Sequence, residues 1–195
     1  LAEIGYDALE LGCAQPQAWP YFTDKEKRAS VRKTLKENNL RISSVLPAPG
    51  GGPGGNIASA NVLEREWTKQ YWKDCIDMGL EMDDCKTLLC VCGWYIYGTR
   101  KRDAWKWAME SISEVAEYGA KNGVTLMLEP TATDSNLVES CEDAINMMED
   151  IDMENVKLMF DTTHALYRNE VPSDYVYLMN ENLKLHHKTF RIHHV

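Results

Sequence analysis

Two apolar runs in the chain end in a carboxylate. In "GVTLMLEP" (Gly123–Pro130) the run leads into Glu129, followed at once by proline. In "NVKLMFDTTH" (Asn155–His164) it leads into Asp161, with His164 three residues later. A lone carboxylate at the end of a buried strand is costly to desolvate. Neighbouring parallel strands lie about 4.8 Å apart, so two such groups can converge on one point. A shared divalent cation removes the penalty and holds both ionised. Carboxylate-rich sites with one imidazole suit Mn²⁺, Mg²⁺, Co²⁺ or Zn²⁺. The plainer role for such an acid is to cap the next helix. That role stays open for Asp161; for Glu129 it is weaker, because Pro130 follows directly and Thr131, Thr133 and Asp134 are better caps. His164 can be a ligand, a substrate partner or a satisfied buried histidine, and taken alone its residue type favours the last.

The elements that must hold these groups follow from hydrophobic periodicity. Strands are predicted at Ala8–Leu11, Arg41–Leu46, Thr87–Cys92, Val124–Leu128, Val156–Phe160 and Leu183–His187. Helices are predicted at Asp24–Asn38, Asn61–Gly79, Arg102–Asn122, Glu139–Glu149 and Ser173–Asn180, with Gly123 placed to end the third in a left-handed cap. Alternation of strand and helix implies parallel strands with helical crossovers. Unbroken apolar strands such as "VTLML" and "VKLMF" fit a sheet covered on both faces. The fold expected is α/β, a (β/α)8 TIM barrel with about six of its eight strands, against an open doubly wound sheet as the alternative. Residues 1–195 are expected to be a single domain truncated at both ends, because the chain opens "LAEIGYDALEL" without Met, as though an earlier element were missing. The stretch "PAPGGGPGGN" (Pro47–Asn56) lacks a phosphate-loop signature and reads as a flexible loop or a substrate lid.

Composition narrows the function classes. The chain has 195 residues, 44% hydrophobic and 26% charged, an ordinary globular balance. A formal net charge of −9 disfavours phosphate backbones and anionic lipid surfaces, so neither a nucleic-acid nor a membrane partner is expected. No apolar run is long enough to span a bilayer. The six cysteines form no CxxC pattern, which points to buried, reduced thiols and a cytoplasmic setting rather than structural zinc.

With those residues in place, the chain resembles the xylose-isomerase-like family of sugar isomerases and epimerases. It is particularly similar to the ketose 3-epimerase branch, which includes fructoselysine 3-epimerase and the tagatose/psicose epimerases. The resemblance rests on "GYDALEL" (Gly5–Leu11), "LKENNLRISSV" (Leu35–Val45), "GVTLMLEPTATDSNLV" (Gly123–Val138) and "VKLMFDTTHA" (Val156–Ala165). It implies a TIM barrel with one divalent metal ion, Mn²⁺ first and Mg²⁺, Co²⁺ or Zn²⁺ as alternatives. Glu129 matches the first metal-binding Glu and Asp161 the Asp. His164 matches a substrate-contacting His, and Asp134 stands near a substrate-contacting Glu in a loop one residue shorter here. Trp94, in "GWYIYG", either walls the pocket or packs as an ordinary core residue, and Glu10 can face the same mouth. His187 is the match to the ligating His, with His186 next. The family pattern "LKHIHLKD" reads "LKLHHKTFRIHHV" here, and the cluster of His186, His187, His193 and His194 is read as a divergent end in preference to a separate metal site.

The implied chemistry is metal-dependent epimerisation or isomerisation of a ketose at C3. The metal chelates the C2 oxygen and C3 hydroxyl, and one Glu removes the C3 proton through an enediolate while an opposite Glu returns it. Glu129 would be one of that pair, its partner lying on a last strand not found in these residues. With two or three of four ligands, the chain by itself is expected to be inactive. The substrate is expected to be a small sugar and the protein a homo-oligomer, as is common in the family. The rival readings are a lyase of the same superfamily cleaving C-glycosides of 3-oxo sugars, and a non-catalytic barrel subunit. An apurinic-site endonuclease would need a His-rich multi-metal cluster and a basic face, and the chain is acidic with only His164 before the tail.

Overall fold

The fold was analysed on a computed structural model, which describes residues 1–48 and 55–187. Six strands form one sheet in sequence order: β1 (Ala8–Gly12), β2 (Arg41–Leu46), β3 (Thr87–Val91), β4 (Thr125–Glu129), β5 (Val156–Asp161) and β6 (Leu183–His187). All neighbours pair in parallel. The crossovers are α1 (Lys25–Glu37), α2 (Val62–Asp83), α3 (Lys101–Lys121), α4 (Cys141–Ile151), and the pair α5 (Thr162–Tyr167) and α6 (Pro172–Met179). Strict sequence order in a parallel sheet is the winding of a TIM barrel. A doubly wound sheet would reverse order at a switch point, so that alternative falls.

Period-two alternation sorts the strand side chains into two layers. Leu88, Cys90, Leu126, Leu128, Leu158 and Phe160 join the large core under the helices. Leu89, Val91, Met127 and Met159 form a second cluster with Leu46, on the opposite face of the sheet. Glu129 and Asp161 continue the Met127 and Met159 side, two residues on, so both carboxylates project into the barrel interior at the carboxyl ends of their strands. All six cysteines are free and buried, and burial pushes the thiols of Cys85, Cys90, Cys92 and Cys141 up. No helix among the described residues is long and apolar enough to cross a membrane.

The helices start where side chains can meet their free N–H groups. Asp24 accepts from Lys27 N at 2.8 Å, and Ser140 and Asp143 form a reciprocal capping box. The structure corrects two helix predictions. The second helix does not stop at Gly79 but runs to Asp83, with Asp84 in the left-handed region at φ 50°. Gly79 serves close packing instead: a Cβ there would meet Val45 Cγ1 at 2.8 Å. The short helix α5 has six residues, too few to show a helical period, and the sequence does not betray it. At Gly123 the expectation holds, with φ 67° just after α3. The histidines His193 and His194, and residues 49–54 of the glycine-rich stretch, lie outside the described residues.

Helices α2 and α3 are joined by charge. Glu114 accepts from Lys69 and, at 2.7 Å, from Lys73. Burial alone would raise the Glu114 pKa, but the two lysines outweigh it and hold the carboxyl below its usual range. A depressed carboxylate stabilises above its unfolded value of about 4.3, and the contribution is lost as pH falls through the folded value. Glu114 is 44% exposed at the side chain, so screening limits the effect to less than about 1 kcal/mol. Glu114→Gln should therefore lower the melting temperature slightly at pH 7. The gap to wild type should close as the pH is taken below about 4; a gap that persists in acid would assign the loss to packing.

Candidate active site

Glu129 is the last residue of β4 and is 6% exposed, while Asp161 is the last residue of β5 and is 8% exposed. The register sets Val91 beside Glu129, and Leu128 beside Leu158, which puts Asp161 further out along the barrel axis than Glu129. Immediately after Asp161 the chain turns into α5 and brings His164 back over the mouth. His164 Nε2 lies 3.9 Å from Glu129 Oε1, with the imidazole 12% exposed. One donor atom from each of Glu129, Asp161 and His164 falls within 4.8 Å of the others.

Asp161 does two things that the sequence left as alternatives. Its Oδ1 accepts the Thr163 N–H at 2.6 Å and caps α5. Its carboxyl also stands in the three-residue cluster with Glu129. A carboxylate has two oxygens and about four acceptor sites, so the roles do not compete.

The electrostatics of Glu129 follow from its surroundings. Burial raises its pKa well above the usual carboxylate range, and the charges of Asp161, Glu10 and Asp134 push it the same way. Buried acids facing one another are unstable as a set of free charges. The donor set of two carboxylates and one imidazole is one that a hard or borderline divalent cation satisfies. The residues present therefore fit such an ion.

The remaining predicted residues divide. Glu10 is half-buried on β1, accepts the Ser44 hydroxyl at 2.6 Å and is felt by Glu129, so it belongs to the same interior. Asp134 is exposed on the loop after β4 and accepts from Thr133 at 2.9 Å; it reaches Glu129 only through its charge. Trp94 is half-buried just beyond β3, its backbone fixed by Asn56, while its neighbour Tyr95 packs on the core. His187 closes β6 with its backbone in register with Asp161, and its side chain lies outside the described residues, as does that of His186. Sequence reasoning did not single out Ser44 or Asn56. Neither carries a motif, and only the parallel register and the loop geometry bring them to the site.

The description "xylose isomerase-like TIM barrel" is that of a family whose sequence model matches residues 1–195. The chain is 26% identical over 148 residues to a fructoselysine 3-epimerase of Shigella flexneri, covering 75% of this chain and 53% of that protein. It is 25% identical over 175 residues to a D-psicose 3-epimerase of Ruminiclostridium cellulolyticum, covering 84% and 55%. A crystal structure of a D-psicose 3-epimerase in the presence of D-fructose superposes with a TM-score of 0.81 at 18% identity, over 95% of this chain and 64% of that one. The chain thus spans about half the length of the curated relatives it matches.

Proposed function

The chain belongs to the xylose isomerase-like TIM barrel family, and from that premise we propose that the protein catalyses metal-dependent epimerisation of a ketose, or a ketose derivative, at C3. The observation that carries this reading is the convergence of Glu129, Asp161 and His164 at the carboxyl ends of two adjacent strands. In a TIM barrel that end is where chemistry sits. Curated relatives of this chain are named as 3-epimerases of sugars, which supports a sugar as the substrate class.

Glu129 and Asp161 are the residues that would hold the cation; His187 is the third donor that the family resemblance implies, which leaves His164 for the substrate. A bound divalent cation supplies polarisation of the substrate carbonyl and neutralisation of the charge that develops when the neighbouring C–H ionises. The protein's own work is positional and protolytic. Glu129, at the end of β4 in the barrel interior, takes the C3 proton as general base. His164, 3.9 Å from that carboxyl, is placed to hydrogen-bond a substrate oxygen and fix the sugar's orientation. Glu10 and Asp134 add negative charge around Glu129. Return of the proton to the opposite face falls to a second carboxylate, which the family resemblance places on another strand.

The test is C3 exchange in D₂O, measured on the full-length protein because residues 1–195 by themselves are expected to be inactive. With Mn²⁺ present, D-fructose should lose its C3 proton signal and yield the C3 epimer. Chelation should abolish both, and Mn²⁺ should restore them. Turnover of a 3-oxo-C-glycoside with no exchange on any ketose would move the protein to the lyase reading. Absence of any metal-dependent proton exchange would leave a non-catalytic barrel.

A further inference from the structure

Two to four residues beyond Val91, the register partner of Glu129, the chain passes through Gly93, Trp94 and Tyr95. This short segment is gripped from both sides by side chains of other loops. From the loop after β2, Asn56 takes both backbone groups of Trp94: its Oδ1 accepts the Trp94 N–H at 3.1 Å and its Nδ2 donates to the Trp94 carbonyl at 2.7 Å. From the loop after β4, Asn136 takes both backbone groups of Tyr95, accepting at 2.9 Å and donating at 3.0 Å. Ser135 donates to the Gly93 carbonyl at 2.6 Å, while its oxygen accepts from Leu137 N at 3.0 Å and Val138 N at 3.1 Å. Each asparagine amide thus completes a two-way pairing with a peptide that has no strand partner of its own.

The fit is tight at Gly93. Its φ is +83°, and a Cβ there would meet Asn56 Oδ1 at 2.6 Å and Ala58 N at 3.0 Å. Asn56 and Ser135 are buried, whereas Ile96, Tyr97 and Gly98, further along the same loop, are exposed. The grip is confined to the residues nearest the mouth. It also joins the loop bearing Trp94 to the loop that begins directly after Glu129.

We infer that Asn56, Ser135 and Asn136 are positioning residues that lock the Gly93–Tyr95 segment, and with it Trp94, as a fixed wall beside Glu129 for the sugar substrate. This rests on the ketose reading above. A sugar offers few contacts to a metal and one base, so a rigid wall adds binding that the sugar keeps throughout the reaction, and loosening it raises KM with little effect on kcat. The wall acts on substrate placement and leaves the cation ligands alone.

Asn56→Ala, Ser135→Ala and Asn136→Ala separate this from a general structural role, with Ser135→Thr as the variant that keeps the hydroxyl. Amide hydrogen exchange at residues 93–95 should quicken at least tenfold in the alanine variants and stay near wild type in Ser135→Thr. The rise in melting temperature on adding Mn²⁺ should be unchanged in all four. KM for D-fructose should rise about tenfold with kcat within a few-fold of wild type, and Ser135→Thr should recover KM. Wild-type exchange rates in the alanine variants would overturn the inference. So would loss of the Mn²⁺ response, or a fall in kcat at unchanged KM. A wild-type protein without C3 exchange would instead sink the ketose reading, and the amide exchange alone would then decide whether the clamp exists.

Discussion

Glu129→Gln is expected to cut C3 proton exchange on a ketose by about 10²- to 10⁴-fold, the range for loss of a positioned acid–base group. The same substitution is expected to stabilise the metal-free protein. Glu129 is 6% exposed, and the carboxylates that add to the effect of burial on it, Asp161, Glu10 and Asp134, have the same sign. Without a cation, an ionised carboxylate there is a liability at pH 7 that an isosteric neutral amide does not carry. Relief of about 1–3 kcal/mol follows from the cost of burying an uncompensated polar group. For a chain of this size that is about 2–4 °C in melting temperature for each kcal/mol. Opposite signs for stability and activity are the mark of a residue kept for chemistry. Thermal melts after chelation, with proton exchange followed by NMR, measure both. A Glu129→Gln protein that melts lower and still exchanges would reassign Glu129 to the core.

Asp161 offers the second large effect, and here two substitutions divide its two roles. Wild type should gain about 2.7 kcal/mol, or about 5–10 °C in melting temperature, at a Mn²⁺ concentration a hundred times its Kd. Asp161→Asn and Asp161→Ala should both lose that gain, because neither supplies a carboxylate to the cation. In the metal-free state they should part. Asn keeps an oxygen to accept the Thr163 N–H, the bond that caps α5 at 2.6 Å, whereas Ala loses it. Loss of an N-cap costs about 1 kcal/mol. The alanine protein should therefore melt lower than the asparagine protein after chelation. Equal metal-free melts, with the Mn²⁺ response intact in Asn, would leave capping as the whole role of Asp161.

These predictions rest on features legible in the sequence to very different degrees. Among the six parallel strands, β3 and β4 were the most readable, because each is a short apolar run followed by a helical period, and a two-sided sheet demands such runs. Glu129 and Asp161 stood out for the same physical reason: a carboxylate at the buried end of an apolar strand has to be satisfied by something. The "SN" of Ser135 and Asn136 was visible as part of the family resemblance, without a role. Only the folded loop shows that both residues hold backbone groups beyond β3.

By itself, then, the sequence determined the succession of strands and helices and the two acids, Glu129 and Asp161, that close apolar strands. Local spacing is enough for these, since a strand's period and its end are properties of a few consecutive residues. Tertiary structure decided everything that depends on distance between separate loops. It placed His164 within 3.9 Å of Glu129 by way of a six-residue helix too short to leave a periodic trace. It carried α2 through Gly79, where the absence of a Cβ lets the helix close on Val45. It also brought Asn56 to Trp94 across 38 positions of chain, a pairing that no local pattern encodes because side-chain amides acquire partners only when the backbone brings them together.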